Sequence, residues 1–336
     1  MDGLSARDPS SRLAFAAGRA ILPADPIETA EMARRLAQAL MFPVIAALAL
    51  PLSTAASRAA GTDAEATLPV NGISRSYTLH LPPAAQGGGP LPLVVVLHGG
   101  GANAAAAVAL TGFDAEADAE GFVVAYPNGT GRLKPTAETA DQFSWNAGDC
   151  CGSAMRQDAD DIGFVRALVS EIEQSRAIDR HRVYAAGFSA GGMMAYRLAC
   201  EADDIFAGVA VVSGAILVPS CTPSRPVSVI HIHGTDDSAV PFDGTPERES
   251  YARAKFPPVQ DSVAFWAAYD GCQAEPVQRA TVLGIKVEDY PDCRSGTAVR
   301  FDVVEGGYHA WPDGQMTPGF AATPHIWHFF ADHPRL

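Results

Sequence analysis

Several stretches of this chain are apolar almost without a break: Leu91–Leu97 (LPLVVVL), 122–126 (FVVAY), 207–212 (AGVAVV) and 227–232 (VSVIHI). A strand with one wet face alternates apolar and polar residues. A continuous apolar run this short instead needs cover on both faces. Between the runs the period changes to that of a helix. In Asp161–Ser175, Ile162, Val165, Leu168, Val169 and Ile172 fall on one face. Further helices are predicted over 191–200, 261–269 and 324–331, with short strands over 183–186 and Val299–Val304. Buried strands alternating with helices predict an α/β fold, a mostly parallel central sheet with helices on both faces. Ile73–Leu81 alternates polar and apolar residues and is read as part of an antiparallel edge hairpin. In such sheets reacting groups gather beyond the carboxyl ends of the strands.

One of these strand ends carries the sequence Gly187-Phe188-Ser189-Ala190-Gly191. This is G-x-S-x-G between a strand and a helix. The turn is so sharp that the serine takes strained backbone angles, and glycines on both sides remove side chains that would collide. Ser189 is then presented at a helix N-terminus, where free N–H groups and the helix dipole favour negative charge. A serine hydroxyl becomes a nucleophile when an imidazole takes its proton and a carboxylate fixes that imidazole's tautomer. The order expected on such a sheet is serine, acid, histidine. The 227–232 strand leads to Asp236 and Asp237, and Val299–Val304 leads to His309. His309 is therefore the expected base; the spacing leaves both aspartates open, with Asp243 as a third candidate. Gly99-Gly100-Gly101 follows the first buried strand. An oxyanion needs two backbone N–H donors, and these are expected from Ala190 and Gly100.

Other residues offer weaker readings. His231 and His233 share a strand face and are read as a core pair, or as a pair supporting the site from behind, rather than as metal ligands. Asp158, Asp160 and Asp161 are read as the charged cap of the following helix rather than a calcium site. Trp145, Tyr308 and Trp311 lie near the motifs and are candidate substrate-pocket residues, stacking on substrate or walling it from water.

The segment 39–52 (ALMFPVIAALALPL) follows Arg34 and Arg35 and precedes a run of small residues. That pattern is a secretory signal peptide, too short to span a bilayer. Residues 1–60 are therefore read as an extension plus leader, with a start at Met32, and residues 61–336 as a single catalytic domain, secreted or periplasmic. The six cysteines all follow the leader, and export favours disulfides. Cys200–Cys221 and Cys272–Cys293 would close short loops; Cys150 and Cys151 would then pair with each other or stay reduced. The net charge of −14 argues against a nucleic-acid partner, because phosphate contacts require cations. Only three of the 24 basic residues are lysines and no basic run exists, which argues against membrane attachment once the leader is removed.

Six motifs recur in order: LHGGG (97–101), SWNAGDCCG (144–152), DADDIGF (158–164), GFSAGG (187–192), HGTDDSAVPFDG (233–244) and EGGYHAWP (305–312). Over residues 70–335 the chain resembles the secreted α/β-hydrolase esterases grouped with polyhydroxybutyrate depolymerases and feruloyl or acetylxylan esterases. The resemblance implies hydrolysis of a small, oligomeric or polymeric carboxylic ester with no cofactor or metal. It places the acid at Asp237, in HGTxDxxVP. It also implies a Tyr308 that narrows the pocket, since the family often has glycine there. An acyltransferase using the same triad and a non-catalytic binding protein are the alternative classes.

Overall fold

The apolar runs become the centre of one ten-stranded sheet in a computed structural model, which describes residues 60–245, 255–282, 284–315 and 317–336. The leader and Met32 lie outside the described residues. The strands are β1 (Thr62–Val70), β2 (Ile73–Leu81), β3 (Leu91–Leu97), β4 (Val123–Pro127), β5 (Ile178–Phe188), β6 (Gly208–Val212), β7 (Ser228–Gly234), β8 (Val277–Val282), β9 (Ile285–Tyr290) and β10 (Val299–Val304). Their spatial order is β1-β2-β4-β3-β5-β6-β7-β10-β9-β8. From β4 to β10 every neighbouring pair is parallel; β1–β2 and β8–β9 are antiparallel ribbons closing the two edges.

Each central strand feeds two cores, because successive side chains leave opposite faces of the sheet. Leu93, Val95 and Leu97 face one core; Val94 and Val96 face the other. Complete burial of one such side chain contributes about 1.5–3 kcal/mol. The first face is covered by α4 (Asp161–Ser175), α5 (Ala190–Glu201) and α6 (Val259–Tyr269). The second is covered by α1 (Ala104–Thr111), α2 (Phe113–Glu120) and α7 (Ala322–Asp332). The short α3 (Gly152–Arg156) lies in the long loop after β4. Asp160 caps α4, its carboxylate accepting the Gly163 amide at 2.8 Å. Asp161 instead turns inward, where Arg75, Thr130 and the Asn146 amide all reach it at 2.7–2.9 Å.

All three cysteine pairs are bridged: Cys150–Cys151, Cys200–Cys221 and Cys272–Cys293.

The edge hairpin is fastened by a buried imidazole. His80 of β2 places Nδ1 2.6 Å from Asp63 of β1 and Nε2 3.0 Å from Asp118 of α2, with Asp114 also beside it. Burial alone would lower its pKa, but the bonds to Asp63 and Asp118 and the Asp114 charge carry it above the ordinary imidazole value. The folded state therefore favours the charged form. This contribution is complete below the unfolded imidazole pKa and is lost as pH rises through the raised folded value. The melting-temperature gap between the parent and His80→Gln is expected to be widest near about pH 5 and to close towards about pH 9. A gap that stays constant, or widens with pH, contradicts the charged clamp.

Candidate active site

Four strands of the parallel part of the sheet, with β6 between the second and third of them, end at the same edge. β3 runs into His98 and the glycine turn, β5 into Ser189, β7 into Asp237, and β10 into His309. Residues more than 200 positions apart are thereby delivered to one rim.

Ser189 is the hinge between β5 and α5. Its backbone sits at φ 55°, ψ −119°, a region costing of order 1–3 kcal/mol for a non-glycine residue. The surroundings enforce it. A Cβ on Gly187 would strike the Gly191 carbonyl, and one on Gly191 would strike the carbonyls of Leu97 and His98. No other residue type fits at either flank. The amide of Ala190 is the first of the helix and has no intrahelical acceptor.

The glycine turn faces this elbow. A Cβ placed on Gly100 would lie 3.5 Å from Ala190 Cβ, so the two expected oxyanion donors belong to facing segments. Within the turn, the Gly101 amide is taken by the Phe143 carbonyl at 2.8 Å and the Ala102 amide by Gly99 at 3.2 Å. The turn is propped from behind by His98, whose Nδ1–H donates to the Gly99 carbonyl at 2.7 Å and whose Nε2 accepts from the Gly129 amide at 3.0 Å. Burial pushes His98 down to about 4, so it stays neutral, with the one tautomer that both bonds require.

Asp237 is buried, 3% exposed, and both carboxylate oxygens are used. Oδ1 accepts the amides of Ala239 and Val240 at 2.9 and 2.8 Å; Oδ2 accepts His309 Nδ1–H at 2.8 Å. Burial on its own would raise its pKa, but the bonds from His309 and the Val240 amide bring it below the ordinary carboxylate value. Asp236 is exposed and its amide donates to the Gly307 carbonyl at 2.9 Å; Asp243 is also exposed. The choice left open by spacing is thus resolved by which side chain points inward. The approach of the two loops depends on Gly234, where a Cβ would strike the Gly307 backbone.

His309 lies beside the elbow, its ring 4.8 Å from that of Phe188. Because Nδ1 donates to a carboxylate, neutral His309 keeps a lone pair on Nε2. No hydrogen bond joins Ser189 to His309 among the described residues; such contacts commonly tighten when substrate enters.

Two pocket expectations need correction. Trp145 is fully buried, its indole N–H donating to the His98 carbonyl at 2.9 Å while its ring packs 5.0 Å from the His98 ring. It supports the glycine turn from the core and has no face free for substrate. Trp311 is 3% exposed, donates to Thr323 Oγ1 at 3.0 Å and packs on Phe113. In both cases a large apolar ring with an internal acceptor gains more from the core than from the rim. Tyr308, by contrast, is 73% exposed and borders a cavity of about 100 Å³ with Ser213, Gly307 and Pro312.

The residues that sequence reasoning missed are supports. They are His98, signalled only by its place before the glycines, and Phe188, which the motif treats as a free position. A further pair, His231 and His233, is read from the sequence as core packing or as support behind the site, with its partners left open. Every ring nitrogen of that pair is hydrogen-bonded within the protein, so no lone pair is free for a metal.

Comparison with known proteins agrees with the fold and identifies the family. The sequence profile of the family described as Esterase PHB depolymerase matches residues 75–254. NocK of Nocardia uniformis subsp. tsuyamanensis is 36% identical over 265 residues, covering 73% of each chain. Feruloyl esterase B of Piromyces equi is 33% identical over 183 residues, 52% of this chain and 32% of that protein. Among solved structures, an acetyl xylan esterase from Aspergillus awamori superposes with a TM-score of 0.55 at 14% identity, covering 80% of this chain and 99% of the other. The shared architecture is the α/β-hydrolase fold.

Proposed function

We propose, from the premise that this chain belongs to the PHB-depolymerase family of esterases, that its ester hydrolysis runs through Ser189, His309 and Asp237. The chain is a carboxylic ester hydrolase of the serine type. The observation that carries the assignment is the 2.8 Å bond from His309 Nδ1 to a buried Asp237, beside a serine held on a strained elbow. His309 Nε2 takes the Ser189 proton as the hydroxyl attacks the ester carbonyl. The amides of Ala190 and Gly100 hold the oxyanion. His309 returns the proton to the leaving alcohol, then activates water to release the acid. Asp237 stabilises the imidazolium formed in each half.

The domain is proposed to begin near residue 61, behind a leader that directs export. Three disulfides and no free cysteine among the described residues suit an oxidising compartment. No helix of the described residues is long and apolar enough to cross a membrane.

The proposed substrates are esters of short hydroxyalkanoate oligomers, the chemistry named in the family's description. A second reading, feruloyl or acetyl esters of plant polysaccharide, is favoured by the feruloyl esterase relatives and by the exposed Tyr308 ring next to the base. A panel of hydroxybutyrate oligomers, methyl ferulate and acetylated xylan separates them by kcat/KM. The oligomers are expected to rank first. Preference for methyl ferulate, with KM rising several-fold in Tyr308→Ala, selects the second reading. Turnover of none contradicts both.

A further inference from the structure

His231 and His233 sit two positions apart on β7, so both rings leave the same face of the sheet. They are buried, and so is Tyr196 of α5. Their hydrogen bonds have a forced direction. His233 Nε2 lies 2.8 Å from the Val240 carbonyl, which can only accept, so Nε2 carries the proton. Its Nδ1 must then accept from His231 Nε2 at 3.0 Å, and His231 Nδ1 must accept from the Tyr196 hydroxyl at 2.6 Å. Burial lowers the pKa of both histidines and raises that of Tyr196, which keeps every member neutral and this single pattern intact.

The chain ends on the turn that holds the acid. Val240 offers its carbonyl to His233 while its own amide donates to Asp237 Oδ1 at 2.8 Å. His233 Nε2 is also 3.4 Å from Asp237 Oδ2, the oxygen that receives His309. A hydrophobic core has no need of this arrangement. Burying three polar rings is costly unless each is satisfied, and a satisfied network specifies one geometry.

We propose that Tyr196, His231 and His233 are positioning residues for hydrolysis: their hydrogen-bonded chain locks the 237–240 turn, and with it the Asp237 carboxylate, at the angle His309 requires. None of the three touches the reacting atoms. The inference rests on Asp237 being the triad acid.

The test is steady-state hydrolysis of p-nitrophenyl butyrate alongside thermal melting. His233→Leu is expected to lower kcat roughly 10- to 100-fold with KM within about twofold, because the loss falls on the transition state and not on binding. His233→Gln, which can donate to Val240 and accept from His231, should recover kcat to within about fivefold of the parent. Tyr196→Phe, at the far end, should lose roughly 3- to 10-fold in kcat alone. If His233→Leu does not fold, Tyr196→Phe decides. A cooperatively melting variant with kcat within about twofold of the parent overturns the proposal. Asp237→Asn assayed in parallel separates the two levels. Collapse there with unaffected chain variants refutes the positioning chain alone; full activity there refutes the acid assignment itself.

Discussion

Ser189→Ala is expected to remove essentially all turnover of p-nitrophenyl butyrate, a loss on the order of a million-fold in kcat, while the protein still folds. The size follows from the chemistry. Without the hydroxyl no acyl-enzyme forms, and the remaining groups only polarise the carbonyl and orient water. The fold survives because the strained backbone at 189 is imposed by its neighbours. Gly187, Gly191 and the Leu97 and His98 carbonyls leave the chain no other path, and Ser189 makes no side-chain cap bond to α5. The melting temperature should therefore change little. Kinetics with active-site titration and a melting curve check both halves. Retained turnover in a folded variant would refute the mechanism.

The next largest effect is expected from Asp237→Asn, roughly ten-thousand-fold in kcat, through the wrong tautomer of His309. The cause can be read from the hydrogen bonds. Oδ1 accepts two amides, from Ala239 and Val240. In the variant the amide oxygen must take that place, which turns the NH₂ towards His309 Nδ1. That nitrogen must then accept, so the imidazole proton moves to Nε2. The lone pair that should receive the Ser189 proton is gone. Substrate binding is untouched, so KM should change far less than kcat. A drop shared equally between kcat and melting temperature would point instead to a damaged fold.

The sheet was readable because its central strands are buried on both faces, and nothing but an apolar run meets that demand. Leu91–Leu97, Asp161–Ser175 and Val299–Val304 have the predicted bounds. The edges were less visible. β1 carries Thr62, Asp63 and Glu65 among its exposed residues, a composition that says nothing by itself. Its signal was the Asn71-Gly72 pair, with φ of 50° and 79°, which closes a two-residue hairpin onto Ile73. β9 was missed for a similar reason: Lys286, Glu288 and Asp289 interrupt its apolar pattern, and Lys286 and Glu288 pair with each other.

The site divides the same way. Ser189 and His309 follow from strand-end positions that any such sheet uses. Choosing Asp237 over Asp236 depends on which way one turn faces, and spacing carries no record of that. Trp145 and Trp311 stand beside motif residues in sequence yet pack into the core behind them. Whether an indole faces substrate or core depends on an acceptor at its N–H, here the His98 carbonyl and Thr323. One acceptor lies 47 residues away and the other 12, and no local pattern announces either. For His231 and His233 the sequence leaves packing and a supporting role side by side. Their partners, Tyr196 and Val240, become visible only when α5 lies on the sheet and the 237–240 turn folds back.

A fluorophosphonate reports the convergence of the three side chains directly, since it reacts with a serine whose proton is being taken. Peptide mass mapping of the labelled protein is expected to find one adduct, on Ser189, forming quickly in the parent and at a small fraction of that rate in His309→Ala. An adduct on another residue, or labelling of Ser189 at an unchanged rate without His309, contradicts the shared proton relay.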